Sequence, residues 1–300
     1  MDNAIEVKNL SKHYEEVLAV DNVSFNVPLG SICGFIGPNG SGKTTTIRML
    51  LGLIAPTDGT GTVLGYDITQ PSKYLEHVGA MIEGPAFYPM LSGRENLAIF
   101  ARLGGIDQDR IDPLLDLVGL GPRGKHKFKT YSLGMKQRLG IAAALLPKPK
   151  LLMLDEPTNG LDPVGIQEIR ELITRLASDG TTVFVSSHIL AELEIICDTL
   201  VMYRKGKLLY NGLKSELLAN QTILLNIEIE YSVDLSRAVE VVTKLGFEVN
   251  VDGGKLLIEA DRESGAGINR ALNSAGITAN LIVAQQPTLE ETFFTMTGAH

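Results

Sequence analysis

The eight residues GPNGSGKT, Gly37 to Thr44, constrain this chain more than any other stretch. They fit G-x-x-x-x-G-K-[ST] in full. Such a loop needs a strand to deliver it and a helix to leave it, because N–H groups at a helix start are what face a phosphate. The alternating VSFNVPLGSICGFIG before it reads as a strand, and TTTIRMLLGLI after it reads as a helix. Gly37, Gly40 and Gly42 let the backbone curl, with Pro38, Asn39 and Ser41 between them. Lys43 has the reach for β- and γ-phosphates. Thr44 offers a hydroxyl to Mg²⁺, and Thr45 can hold the phosphates nearer the ribose. A strand–loop–helix unit of this kind implies an α/β fold around a phosphate site.

The rest of the chain supports that class. LLMLDEP is a continuous apolar run ending in acids, the pattern of a buried parallel strand. IQEIRELITRLASDG reads as a helix closed by Gly180, TTVFVSSH as a second buried strand, LAELEIICD as a helix, and DTLVMYRKGKLLYNG as a hairpin. IEVKNLSKHY alternates as a strand near the start. Pro56 to Gly65 reads as turn chemistry, and about Gly79 to Leu120 as helical, with GRENLAIFARLGG and DRIDPLLDLVGL spaced at three to four. Composition shifts after Asn220. ILLNIEIEY, SRAVEVVTKLG, FEVNVDGGKLLIEA, INRALNSAG and ITANLIVAQ follow in the order β-α-β-β-α-β, the ferredoxin-like plan, before a last helix in TLEETFFTMTG. The expected domains are 1–220, with a helical part at about 80–145, and a small α+β domain at 221–300.

In open α/β sheets ligands sit beyond the carboxyl ends of the strands. Asp155 and Glu156 end one such strand and His188 follows the next. Asp155 is placed to hold Mg²⁺, Glu156 to polarise an attacking water, and His188 to hydrogen-bond a γ-phosphate or that water. A second helix start, TYSLGMKQRLG, brings Ser132, Leu133 and Gly134 to another set of free N–H groups.

No apolar run approaches the ~18 residues that a membrane span needs, and the polar start MDNAIEVKNL lacks a signal-peptide layout. The chain is expected to stay in the cytosol. A formal charge of −8 argues against a general nucleic-acid binder. Cys33 and Cys197, the two cysteines, lie in apolar surroundings and read as small buried hydrophobes.

With these residues in hand, the chain resembles the ATP-binding subunits of ABC transporters over about residues 3–215. Gly37–Thr44 is similar to the Walker A loop and Leu151–Glu156 to Walker B. Asn159, Gly160, Leu161 and Asp162 match the D-loop, and His188 the switch histidine. Tyr14 matches the aromatic residue that stacks on adenine. TYSLGMKQRLG looks like the signature motif, usually LSGGQ, with Leu133 and Met135 departing from it. The resemblance implies that two chains, identical or paired with a second ATPase, sandwich two ATPs head to tail, so that Ser132 and Gly134 meet the nucleotide on the other chain. Glu83 takes the place of the family's Mg²⁺-contacting glutamine. An acid there, followed by Pro85-x-Phe87-Tyr88-Pro89, is similar to the bacitracin and lantibiotic exporter subgroup. Integral-membrane permease subunits and a place on the cytoplasmic face of the membrane follow from the same likeness. Phe87, Tyr88 and Met90 are either part of the permease contact or packed under a helix. The alternatives are an importer ATPase with a C-terminal sensor domain and a soluble ABC ATPase acting off the membrane.

Overall fold

A computed structural model describes all residues except Met1, Pro85, Asn220, Arg262, Ala299 and His300. The chain divides into two compact units, one ending at Lys214 and the other beginning at Ser215.

The first unit opens with β1 (Asn3–Tyr14) and β2 (Val17–Pro28), which pair antiparallel. The run read as one strand before the phosphate loop is two. Pro28 cannot donate to a sheet ladder, so β2 ends there, and the chain re-enters as β3 (Ile32–Ile36) in a different sheet. Next come α1 (Lys43–Leu50), β4 (Asp58–Val63) and β5 (Tyr66–Asp67). β4 corrects the reading of Pro56–Gly65 as turns. Its register against β1 puts Gly59 so close that an added β-carbon would lie 2.2 Å from the Asn9 carbonyl oxygen. The glycine that resembles a turn signal is there for close backbone approach.

β6 (Val78–Met81) is a second correction, a short strand inside the stretch read as helical. A four-residue apolar run carries no period to distinguish it from helix. Three helices follow: α2 (Gly93–Leu103), α3 (Ile111–Leu117) and α4 (Leu133–Leu145). Ser92 and Glu95 close a capping box at the start of α2. The chain then alternates: β7 (Leu151–Asp155), α5 (Pro163–Ser178), β8 (Thr182–Ser187), α6 (Leu190–Ile196), β9 (Thr199–Arg204) and β10 (Lys207–Leu213).

The central sheet has the order β10-β9-β3-β8-β7-β6, parallel except for β10. β3, β7 and β8 are buried along their whole length, which explains the apolar runs that make up most of them. β2-β1-β4-β5 form a separate antiparallel sheet. Between the sheets Phe25, Phe35, Phe184 and Tyr203 pack together, with Phe35 and Phe184 centroids 5.0 Å apart. Each such side chain contributes roughly 1.5–3 kcal/mol on burial, so the core is firmest beneath the phosphate loop that leaves β3. Cys33 and Cys197 are free and buried, and burial pushes the Cys33 thiol up to about 12.

The second unit follows from within α7 (Lys214–Ala219). It contains β11 (Ile223–Ile229), α8 (Leu235–Lys244), β12 (Val249–Asp252), β13 (Lys255–Ala260), α9 (Ser264–Ser274), β14 (Ala279–Gln285) and α10 (Leu289–Thr297). Its antiparallel sheet runs β12-β13-β11-β14. The alternation of β11 buries Leu225 and Ile227 with Ala238 and Val242 of α8 and Ile268 and Leu272 of α9 in a core of its own. Asn220, where composition changes, lies outside the described residues.

Candidate functional site

The loop after β3 and the first turn of α1 form one wall of a cleft of about 550 Å³. Asn39, Gly40, Ser41, Gly42, Lys43, Thr44 and Thr45 line it, with Tyr14 and Glu156. Gly42 is the N-cap of α1 at φ 103°, and no side chain caps the helix. A β-carbon at Gly42 would lie 2.5 Å from the Ala19 carbonyl oxygen. Only glycine lets the chain turn there and leave the helix-terminal N–H groups to a ligand. Ser41 Oγ is buried without a hydrogen-bond partner, a polar atom left for a phosphate oxygen.

Lys43 is 6% exposed. Its Nζ donates to the Gly37 carbonyl at 2.6 Å and lies 3.2 Å from Glu156 Oε1. That carboxylate oxygen has no well-aligned hydrogen bond. Glu156 Oε2 accepts from His188 Nδ1 at 2.7 Å and from the His188 backbone N–H at 3.3 Å. With the carboxylate ionised, Nδ1 carries the proton. Glu156 therefore sits between a buried cation and an imidazole. Its backbone is left-handed at φ 49°, an unfavourable conformation for a non-glycine residue, of the kind that concentrates at functional sites.

Asp155 is buried at the end of β7. Its Oδ2 accepts from Thr44 Oγ1 at 2.7 Å and its Oδ1 from Ser186 Oγ at 2.5 Å. Thr44 and Asp155 thus offer a hydroxyl and a carboxylate side by side, hard oxygens suited to Mg²⁺ together with phosphate oxygens and water. Sequence reasoning missed Ser186. It also accepts from the Glu156 N–H at 3.0 Å, tying the two acids to β8. The signal was a serine closing an apolar strand just before His188. Lys205 and Gly206 also line the cleft, brought there by the β9–β10 hairpin from far along the chain.

Tyr14 also lines the cleft, 42% exposed, with Lys12 Nζ 5.2 Å from its ring centroid. Glu83 is not among the lining residues. Its carboxylate meets the Arg48 guanidinium at 2.5 Å. Pro85 lies outside the described residues. Phe87 packs edge-on between Phe100 and Phe128, whereas Tyr88 and Met90 are about 60% exposed. Phe87 is therefore packed against α2 and the segment before α4, while Tyr88 and Met90 lie at the surface.

The start of α4 does not reach the cleft. Ser132 is its N-cap and accepts from the Met135 N–H at 3.3 Å. Leu133 lies against Gly160, and Leu161 near Gly134, so the helix start packs on the turn that follows Glu156. Asp162 caps α5 through the Gly165 N–H, and Asn159 N–H bonds the Glu156 carbonyl. Asp116, Glu168 and Arg175 flank Arg138 further along α4. No group of three or more His, Cys, Asp or Glu able to hold a metal occurs among the described residues. None of their helices is long and apolar enough to cross a membrane.

Residues 20–159 match the family model for ABC transporters. The bacitracin transport ATP-binding protein BcrA of Enterococcus faecalis is 38% identical over 99% of this chain and 97% of its own. The lantibiotic transport ATP-binding protein SrtF of Streptococcus pyogenes is 42% identical over 73% of this chain and 97% of its own. The daunorubicin resistance ATP-binding protein DrrA3 of Streptomyces coeruleorubidus is 34% identical over 99% and 96%. A solved ATP-binding subunit of an ABC transporter superposes with a TM-score of 0.64 at 33% identity, covering 71% of this chain and 91% of that one. The chain belongs to the ATP-binding proteins of ABC transporters, a family that hydrolyses ATP.

Proposed function

We propose that this chain powers export of a peptide antibiotic or drug-like compound through separate permease subunits, by ATP-driven pairing of two ATPase chains. The observation that carries the ATPase half is Glu156, held between Lys43 and His188 at the mouth of the phosphate loop. The export half rests on full-length similarity to proteins of bacitracin transport and daunorubicin resistance, which extends through residues 215–300. We read those residues as an accessory domain of ferredoxin-like plan.

Catalysis here is positioning and charge. The loop N–H groups and Lys43 bind the β- and γ-phosphates. A γ-phosphate takes Lys43 away from Glu156, whose Oε1 then accepts a hydrogen bond from water. Glu156 orients that water as the general base, and His188, its Nδ1 fixed by Glu156, presents Nε2 to the phosphate. Thr44 and Asp155 would hold Mg²⁺, which would supply positive charge against the leaving phosphates. Glu83, paired with Arg48, would join the metal site only by exchanging that partner. Tyr14 stacks on the base. Ser132 and Gly134 contact the γ-phosphate bound to the partner chain, and the D-loop, Asn159 to Asp162, lies beside them. Tyr88 and Met90 belong to the permease-facing surface, which keeps the chain on the cytoplasmic face of the membrane. Nucleic acid has no part in this reading.

The test is Glu156→Gln in the full chain. Turnover is expected to fall by about a thousandfold, with ATP binding kept and an ATP-dependent dimer visible by light scattering. A variant that stays monomeric while holding ATP would remove the sandwich from the proposal.

A further inference from the structure

A second buried polar pair sits behind the Glu156 cluster. Thr158 Oγ1 donates a hydrogen bond to Glu192 Oε2, with the two residues 6% and 7% exposed. No lysine, arginine or histidine forms an ion pair with Glu192 among the described residues. A carboxylate buried against a lone hydroxyl is a poor way to stabilise a fold, because desolvation outweighs what one hydrogen bond returns. Neither residue lines the nucleotide cleft.

Their places in the chain suggest another role. Thr158 follows Glu156 by two residues, and its carbonyl accepts from the Leu161 N–H, closing the turn that carries the D-loop. Glu192 lies in the first turn of α6, four residues past His188. The pair therefore joins the two segments that carry Glu156 and His188. Those segments meet at the surface through the Glu156–His188 hydrogen bond, where His188 is 32% exposed. The left-handed backbone of Glu156 is a conformation that its surroundings must enforce.

We propose that Thr158 and Glu192 are positioning residues for hydrolysis: their buried hydrogen bond clamps α6 onto the turn after Glu156 and so keeps His188 in register with it. The proposal rests on Glu156 and His188 acting as described above. The segments are then linked at the surface through Glu156 and His188 and in the interior through Thr158 and Glu192. The outer side-chain bond can open as nucleotide arrives, while the inner one keeps the segments together.

The experiment compares Thr158→Val, Thr158→Ser, Glu192→Leu, Glu192→Gln and the Thr158→Val/Glu192→Leu double variant, with Glu156→Gln as control. Steady-state ATPase, ATP affinity and thermal midpoint are measured on each full chain. Thr158→Val, which keeps the side-chain shape, is expected to lower kcat about tenfold, as losing a hydrogen bond to a charged group would. KM and ATP affinity should stay near wild type, while the thermal midpoint falls in Thr158→Val, which leaves the buried carboxylate without its partner, and recovers in the double variant. Thr158→Ser keeps the hydroxyl and Glu192→Gln keeps an acceptor, so both should retain most of kcat. The double variant should lose no more than the worse single one, since both remove the same bond. A wild-type kcat in Thr158→Val overturns the clamp, as does a parallel fall of kcat, affinity and midpoint, which marks a purely structural bond. If Glu156→Gln itself keeps turning over, it is the catalytic reading that fails.

Discussion

Two helices of the first unit begin at the positions a phosphate would seek, and they begin differently. α1 starts at Gly42, left-handed and without a side chain, so its first N–H groups have no partner from a cap. α4 starts at Ser132, whose hydroxyl accepts from the Met135 N–H. The first helix start is open, and residues of both sheets of its unit build a cleft around it. The second is capped, exposed, and outside that cleft. A hydroxyl that accepts one hydrogen bond still has its proton to donate. Ser132 can therefore finish its own helix and also meet a phosphate oxygen brought by another molecule. On the proposed reading, one start is complete within the chain and the other meets its phosphate on a partner chain.

Exchanging the two caps breaks this comparison most severely at α1. Gly42→Ser places a good capping residue where φ is 103° and a β-carbon would collide with the Ala19 carbonyl. ATP affinity is expected to fall at least about a hundredfold, since loop geometry and free N–H groups go together. Equilibrium titration with a fluorescent ATP analogue measures it. An affinity within threefold of wild type would mean that the loop does not depend on that turn.

The converse change at α4 should be milder and more selective. Ser132→Asp keeps an N-cap acceptor of equal quality, so the thermal midpoint should not drop. The new carboxylate would face a phosphate across the proposed dimer, and like charges repel. We expect ATP binding by the single chain to be unchanged, the ATP-dependent dimer of the Glu156→Gln background to be lost, and turnover to fall about tenfold or more. Ser132→Ala separates the two roles, costing about 1 kcal/mol of cap energy without adding charge. A dimer that survives Ser132→Asp would show that the start of α4 faces no phosphate.

The same contrast explains what was legible in the sequence. The phosphate loop is contiguous, and each of its residues has a local conformational reason, so Gly37–Thr44 could be placed with its strand and helix. Asp155, Glu156 and His188 were legible because buried strands deliver them to one sheet edge. Long-range packing was not. Gly59 reads locally as a turn and becomes a strand glycine only when β1 approaches it. β6 is too short to show a period and is fixed by its pairing with β7. Ser186 and Lys205 join the site through sheet order and a hairpin, neither of which is written in neighbouring residues. Glu83 was placed by resemblance, and its pairing with Arg48 depends on a side chain 35 positions away.

The smallest expected effect lies at Tyr14, which lines the same cleft as the start of α1. Tyr14 offers a ring there, pinned on one side by Lys12, which is itself anchored to the Ala55 carbonyl at 2.7 Å. Stacking on a base needs a π-face and no hydroxyl. Tyr14→Phe should therefore leave KM for ATP within about twofold, whereas Tyr14→Ala should raise it about tenfold, in keeping with one to three kcal/mol per stacked base. Both should leave kcat unchanged, because the base is bound equally in ground and transition states and the contact is uniform. Steady-state kinetics with ATP, then with inorganic triphosphate, gives the discriminating readout. Triphosphate lacks a base, so Tyr14→Ala should not weaken it. If triphosphate weakens as much as ATP, Tyr14 supports the loop from beneath and the base sits elsewhere.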